Sequence, residues 1–190
     1  MKQRWLIAVF ILLLAVVGGM LFWGRQAPEP KQARKVARQT TMKLESPAFG
    51  HNQAIPAKYT CDGENMNPPL VFSGVPKGAQ SLVLVVDDPD APRGTWVHWT
   101  VWNIAPDTKE IRENETPEMA VEGFTSFGKP RWGGPCPPSG THRYFFKLYA
   151  LDMMLDLPAD TDKNDLEAAM VSHVLASSEL IGLYSRGRSK

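Results

Sequence analysis

Cysteine is almost absent. The chain holds two, Cys61 and Cys136, among 190 residues. Neither belongs to a C-x-x-C, and two thiols alone cannot build a structural zinc site. A dominant charge sign is missing too, with 21 Lys and Arg against 20 Asp and Glu. No basic stripe interleaved with aromatics occurs, so nucleic acid is not an expected partner. No G-x-S-x-G is found, and Ser139 sits in a proline loop with no evident base beyond His142. Internal repeats are lacking, and no residue pattern asks for a cofactor.

Long apolar runs are also missing, with one exception. Residues 5–23, "WLIAVFILLLAVVGGMLFW", are uncharged and nearly all apolar. That run is about long enough to cross a bilayer as a helix, and longer than the roughly 7–15 residues of a signal-peptide core. No Cys comes after it to carry a lipid, and no small-x-small cleavage site lies beyond Trp23. Residues 1–23 therefore read as an uncleaved signal anchor, with a cleaved signal peptide as the alternative. Lys2 and Arg4 favour export of the downstream chain, whereas Arg25, Lys31, Arg34, Lys35 and Arg38 favour the opposite orientation. Residues 24–41 are polar, basic and proline-bearing, a tether to a domain spanning 42–190.

Within that domain Pro and Gly recur every 8–15 residues, between short segments rich in β-branched and aromatic side chains. This predicts an all-β-dominated fold, an antiparallel sandwich with one or two short helices. The clearest strands are 81–87, 96–104 and 143–151. Weaker candidates are 43–45, 70–72, 124–126 and 179–184. A helix is predicted over "KNDLEAAMVSHVLA" (163–176), capped by Asp162. Leu166, Ala169, Met170, His173 and Val174 would share its inner face, with His173 as a packing residue. Cys61 and Cys136 would pair in an oxidising compartment, closing a loop of about 75 residues and stabilising by roughly 4 kcal/mol. Otherwise they are free thiols, and spacing does not decide.

Two stretches carry candidate chemistry. In "LVVDDPDAPRGTWVHW" (84–99), Leu82, Leu84 and Val86 share a strand face, and Asp88 ends that row. A carboxylate there needs hydrogen bonds or a cation. Asp90 would reach the same region if the chain stays extended after Pro89. In "GGPCPPSGTHRYFFKLYALD" (133–152), His142, Tyr144, Phe146 and Leu148 share a face, and Arg143 points away. The loop before them is tight and exposes backbone amides to an anion. Antiparallel packing would bring His98 beside both strand ends. Two acids, two imidazoles and a phenol then suit a small anion such as phosphate, with Asp88 fixing which imidazole nitrogen faces the ligand. Rival readings stay open. "DPDAP" alone is commonly an Asx turn, and Asp88, His98 and His142 would also suit a metal-assisted or acid-base hydrolase.

Together these stretches resemble the phosphatidylethanolamine-binding protein family, in particular its bacterial Raf kinase inhibitor-like branch. "IPAKYTCDGENMNPPL" and "SGVPKGAQSLVLVV" extend the resemblance over most of 42–186. It implies a β-sandwich with a small anion pocket at one end, lined by Asp88, Asp90, His98, Pro137, Pro138, Gly140, His142 and Tyr144. It implies a cis Ala91–Pro92 bond as well. Animal members add a C-terminal helix near the pocket, so a more open pocket is implied here. The function expected is non-enzymatic binding of phosphate or phosphorylated groups, with kinase or protease inhibition as an extension of that binding; animal-type kinase regulation is not carried over. Exported members favour an extracytoplasmic, membrane-anchored domain with a protein target not identified.

Overall fold

The computed structural model describes residues 41–187. The apolar run 5–23 and the basic tether up to residue 40 lie outside the described residues. Among those described, no helix is long and apolar enough to cross a membrane.

Nine strands among the described residues form two sheets. A three-stranded sheet orders β1 (Lys43–Glu45), β3 (Leu70–Ser73) and β6 (Glu110–Ile111) as β1-β3-β6. The larger sheet adds β2 (Gln53–Ala54), β4 (Ser81–Asp88), β5 (Trp96–Ile104), β7 (Val121–Glu122), β8 (Thr141–Leu151) and β9 (Val174–Ser185), ordered β2-β9-β8-β4-β5-β7. These strands pair antiparallel except β2 with β9. The described fold is mostly β, with one α-helix, α1 (Lys163–Met170), and a 3-10 turn at Ala57–Tyr59.

β4 lies at the centre, and all eight of its residues are buried. Its unbroken apolar run reflects two cores, one on each face. Leu82, Leu84 and Val86 meet Phe72, Val101, Phe146 and Leu148 between the sheets. Val83 and Val85 meet Trp102, Leu155, Leu166 and Met170 under α1. Truncating a buried Leu in either layer would cost about 2–5 kcal/mol.

Three local expectations are corrected. The helix stops at Met170 instead of continuing to Ala176, because Ser172 turns to φ 70° and Val174 pairs with Leu151. The long ladder between β8 and β9 overrides helical periodicity in a segment holding β-branched Val171 and Val174. His173 accordingly leaves the packing stripe and meets Asp152 at 2.8 Å on the surface. Residues 124–126 form no strand. Thr125 instead closes a turn on the Lys129 carbonyl, with Gly128 at φ 73° and one isolated bridge, Phe124–Pro130. Finally, no cis peptide occurs among the described residues, so Ala91–Pro92 is trans. Gly94, at φ 103°, closes that turn by donating to the Ala91 carbonyl.

Candidate functional site

Asp88 and Asp87 are adjacent on a strand and so point to opposite faces. Asp87 continues the Val83–Val85 row and is buried on the helix side. Its Oδ2 accepts from Lys147 at 2.9 Å and lies 3.1 Å from Lys163. Asp88 continues the core row to the end of the sandwich. Its Oδ1 accepts from the Asp90 amide at 2.8 Å, and its Oδ2 meets His142 Nδ1 at 2.7 Å. "DPDAP" is thus an Asx turn and a side-chain anchor at once.

That turn removes Asp90 from the cavity. The chain does not stay extended after Pro89, and the Asp90 carboxylate swings onto β8. It accepts from the Arg143 amide and Nε, each at 2.9 Å, and from Nη2 at 2.6 Å. These hydrogen bonds from Arg143 hold its pKa down at about 2.

His98 is placed by a β-bulge. Val86 pairs with Trp99, but Asp87 pairs with Val97, so His98 is an extra residue in β5. Trp99 and Val101 face the inter-sheet core and Trp102 faces the helix layer. Strict alternation would send His98 towards the helix. The bulge re-aims it, and its ring packs edge-on to Tyr144 at 5.1 Å and to Phe127 at 5.5 Å. Its Nδ1 lies 2.5 Å from the Gly133 carbonyl, while the Gly133 amide donates to the His98 carbonyl at 3.0 Å. A Cβ at Gly133 would run into the Phe127 ring. Burial lowers the His98 pKa, against the opposing pull of the Gly133 carbonyl and of Asp88.

These residues converge on a cavity of about 480 Å³. Asp88, His98, Pro137, Pro138 and His142 line it; Asp90, Gly140 and Tyr144 do not. Gly140 sits at φ 71° in the turn into β8. Tyr144 lies behind His98. Its buried hydroxyl has no hydrogen-bond partner among the described residues, and burial, then the Asp88 charge, pushes its pKa upward. Sequence reasoning does not assign six lining residues to the pocket: Ala91, Pro92 and Cys136, which it places in other roles, and Arg93, Trp96 and Phe127. Arg93 lies inside the first motif, and its cationic head was the available signal. Phe127 belongs to a turn whose sequence carries none. Trp96 and Phe127, 38% and 40% exposed, meet edge-to-face at 5.5 Å and form an aromatic rim. A slightly larger cleft of about 490 Å³ opens beyond Phe127 and Cys136 but contains neither histidine.

Cys61 and Cys136 form a disulfide with Cα atoms 5.4 Å apart. It ties the Gly133–Pro138 wall to the segment after the 3-10 turn, where the Cys61 amide also donates to the Pro135 carbonyl at 3.1 Å. Chemically, the cavity offers two imidazoles, each with Nδ1 engaged by the protein and with no partner at Nε2 among the described residues. Arg93 adds positive charge at its edge. Asp88, His98 and His142 are not gathered as a metal set: among the described residues no three His, Cys, Asp or Glu side chains cluster closely enough to hold an ion.

Comparison with known proteins agrees with this architecture. The family described as phosphatidylethanolamine-binding protein matches residues 45–185. A UPF0098 protein of Methanothermobacter thermautotrophicus is 50% identical over 151 residues, covering 77% of this chain and 100% of its own length. The crystal structure of a phosphatidylethanolamine-binding protein homologue from Chlamydia trachomatis superposes with a TM-score of 0.76 at 41% identity, over 78% of this chain and 99% of that one. YbcL of E. coli, described as a member of the mammalian family, gives 0.73 at 28% identity, over 77% and 99%.

Proposed function

This chain belongs to the phosphatidylethanolamine-binding protein family, and from that premise we propose that its domain is a non-enzymatic binding module for a small anion, inorganic phosphate or a phosphorylated head group. One observation carries the reading. His98 and His142 line a single cavity with their Nδ1 atoms committed to Gly133 and Asp88, which leaves both Nε2 atoms for a ligand. Arg93 supplies charge at the mouth, and Pro137 and Pro138 shape the wall. Asp88 acts as a support: one oxygen holds the turn and the other orients His142. Its carboxylate is therefore committed before any substrate arrives, which argues against the acid-base hydrolase alternative.

We place the chain in the bacterial Raf kinase inhibitor-like branch, on the motifs "DDPDAPRGTWVHW" and "GGPCPPSGTHRY". Restraint of a kinase or protease is an extension of the binding reading and does not come with that placement, because animal-type kinase regulation is not carried over. The domain would work outside the cytoplasm, tethered through residues 5–23. The Cys61–Cys136 disulfide supports this side, since such bonds persist in oxidising compartments.

Isothermal titration of the full chain in nonionic detergent tests the binding reading. Phosphate and phosphoethanolamine should bind, and His142→Ala should weaken both by roughly tenfold or more, the loss of a charge-assisted hydrogen bond. Equal affinity in wild type and variant would sink the reading. Metal-dependent turnover of a phosphomonoester would favour the hydrolase instead.

A further inference from the structure

Resting on the anion-binding reading, we propose that the cleft beyond Phe127 is a second subsite, which takes a hydroxyl-rich group joined to the bound phosphate. The ligand class is then a sugar phosphate, with its phosphate between His98 and His142 and its sugar ring in the cleft.

The two spaces share a wall. Phe127 and Cys136 line both the histidine cavity and the cleft of about 490 Å³. The Phe127 ring is held where it stands, since Trp96 and His98 pack edge-on to it and it lies against Gly133. It is also 40% exposed, so an ester group leaving the cavity crosses its open edge into the cleft. A sugar ring suits that crossing. Its C–H face is apolar and packs on an aromatic ring, while its hydroxyls reach outward.

The lining of the cleft sets the chemistry. Ligand pockets are usually lined mostly by apolar side chains. This one gathers amides, carboxylates and cations: Asn65, Asn114, Glu122, Lys129 and Arg131. Two of these groups are fixed at one end and left over at the other. Asn65 Oδ1 accepts the Gly134 amide at 2.8 Å, which sets the orientation of the side-chain amide and leaves Nδ2 to donate. Glu122 Oε1 accepts from Trp99 Nε1 at 2.6 Å, which leaves Oε2 to accept. The frame around them is stiff. Trp99 and Trp132 meet edge-to-face at 5.8 Å, and the bridged Cys61 and Cys136 both line the cleft.

An alkyl chain in this cleft would strip water from the polar groups and return no hydrogen bond. A second anion would meet Glu64, Glu115 and Glu122, and a large cation would meet Lys129 and Arg131. A neutral group with several hydroxyls satisfies both sets, because each hydroxyl donates and accepts.

The test is isothermal titration of the full chain in a polyoxyethylene detergent. The titrants are inorganic phosphate, phosphoethanolamine, butyl phosphate and glucose-6-phosphate. Glucose-6-phosphate is expected to bind roughly tenfold more tightly than the other two esters, the return of one or two net hydrogen bonds. Arg131→Ala and Asn114→Gly should each erase most of that gain and leave inorganic phosphate unchanged. Glycine suits the φ of 55° at Asn114, so that variant removes the amide without straining the turn. Glucose-6-phosphate binding no tighter than phosphoethanolamine overturns the subsite and leaves the anion site standing. Butyl phosphate binding tightest overturns it too, in favour of an apolar continuation such as a lipid. A gain that survives both substitutions places the sugar outside the cleft and also overturns the proposal. Binding of none of the four overturns the subsite and the anion site together. The wild-type ranking is able to overturn the proposal without any variant, so a variant that fails to fold does not shelter it.

Discussion

At the scale of single residues, two neighbouring carboxylates that look alike in the sequence have opposite uses. Asp88 is buried and holds His142. Asp90 is drawn out of the cavity region by Arg143. Sequence alternation located Asp88 correctly, because a strand's side-chain period is regular up to its last residue. It failed at Asp90, inside a turn, where a bidentate guanidinium decided the direction. The Asp90–Arg143 pair also has a pH signature. A carboxylate whose folded pKa lies at about 2, below its ordinary 3.8, stabilises the fold above the higher value and loses that contribution as pH falls through the lower one. Arg143 is half exposed, so solvent screening keeps the contribution small. Asp90→Asn should therefore lower the urea midpoint slightly at neutral pH. The gap to wild type should close between about pH 4 and pH 2. A gap unchanged down to that acidity would rule out the ion pair as its source.

At the scale of elements, β4, β5 and β8 were legible, the short β1 and β3 matched the weaker candidates 43–45 and 70–72, β9 was legible only over 179–184, and the two-residue strands were not legible at all. The predicted span 96–104 coincides with β5, and 81–87 and 143–151 fall short of β4 and β8 only at their ends. β4 and most of β5 announce themselves because β-branched and aromatic runs are buried nearly throughout, and β8 because buried positions alternate with exposed or half-buried ones. Two-residue strands such as β2, β6 and β7 carry no periodicity and exist only where a neighbour offers backbone partners. The start of α1 was legible because its cap is local chemistry: Asp162 Oδ1 accepts from the Asn164 and Asp165 amides at 2.8 and 3.0 Å. Its end was not, since pairing of β9 with β8 is a long-range event. Asp162→Ala should cost about 1 kcal/mol, read as a lower denaturation midpoint. A midpoint within error of wild type would mean that packing of Leu166 and Met170 alone holds the helix.

At the scale of the whole molecule, the Cys61–Cys136 bridge closes a sequence separation of 75 residues and fastens the cavity wall to a distant segment of the domain. In the chain-entropy model a loop of that length contributes roughly 4 kcal/mol. Replacing both cysteines by serine should lower the unfolding free energy by that order, and reductant should do the same to wild type while leaving the double variant unmoved. Identical midpoints with and without reductant in the wild type would exclude the bridge. By itself the sequence determined the β-dominated domain, the family, Asp88 at the end of a core row, and the histidine and proline residues of the second motif. These come from local periodicity and contiguous motifs. Only the tertiary structure decided which residues reach the cavity. The His98 bulge depends on how β5 registers against β4, Asp90 depends on Arg143 across the sheet, and Phe127 depends on a turn packed against Gly133. Each is a contact between separate segments of the chain, and such contacts have no period for a sequence to display.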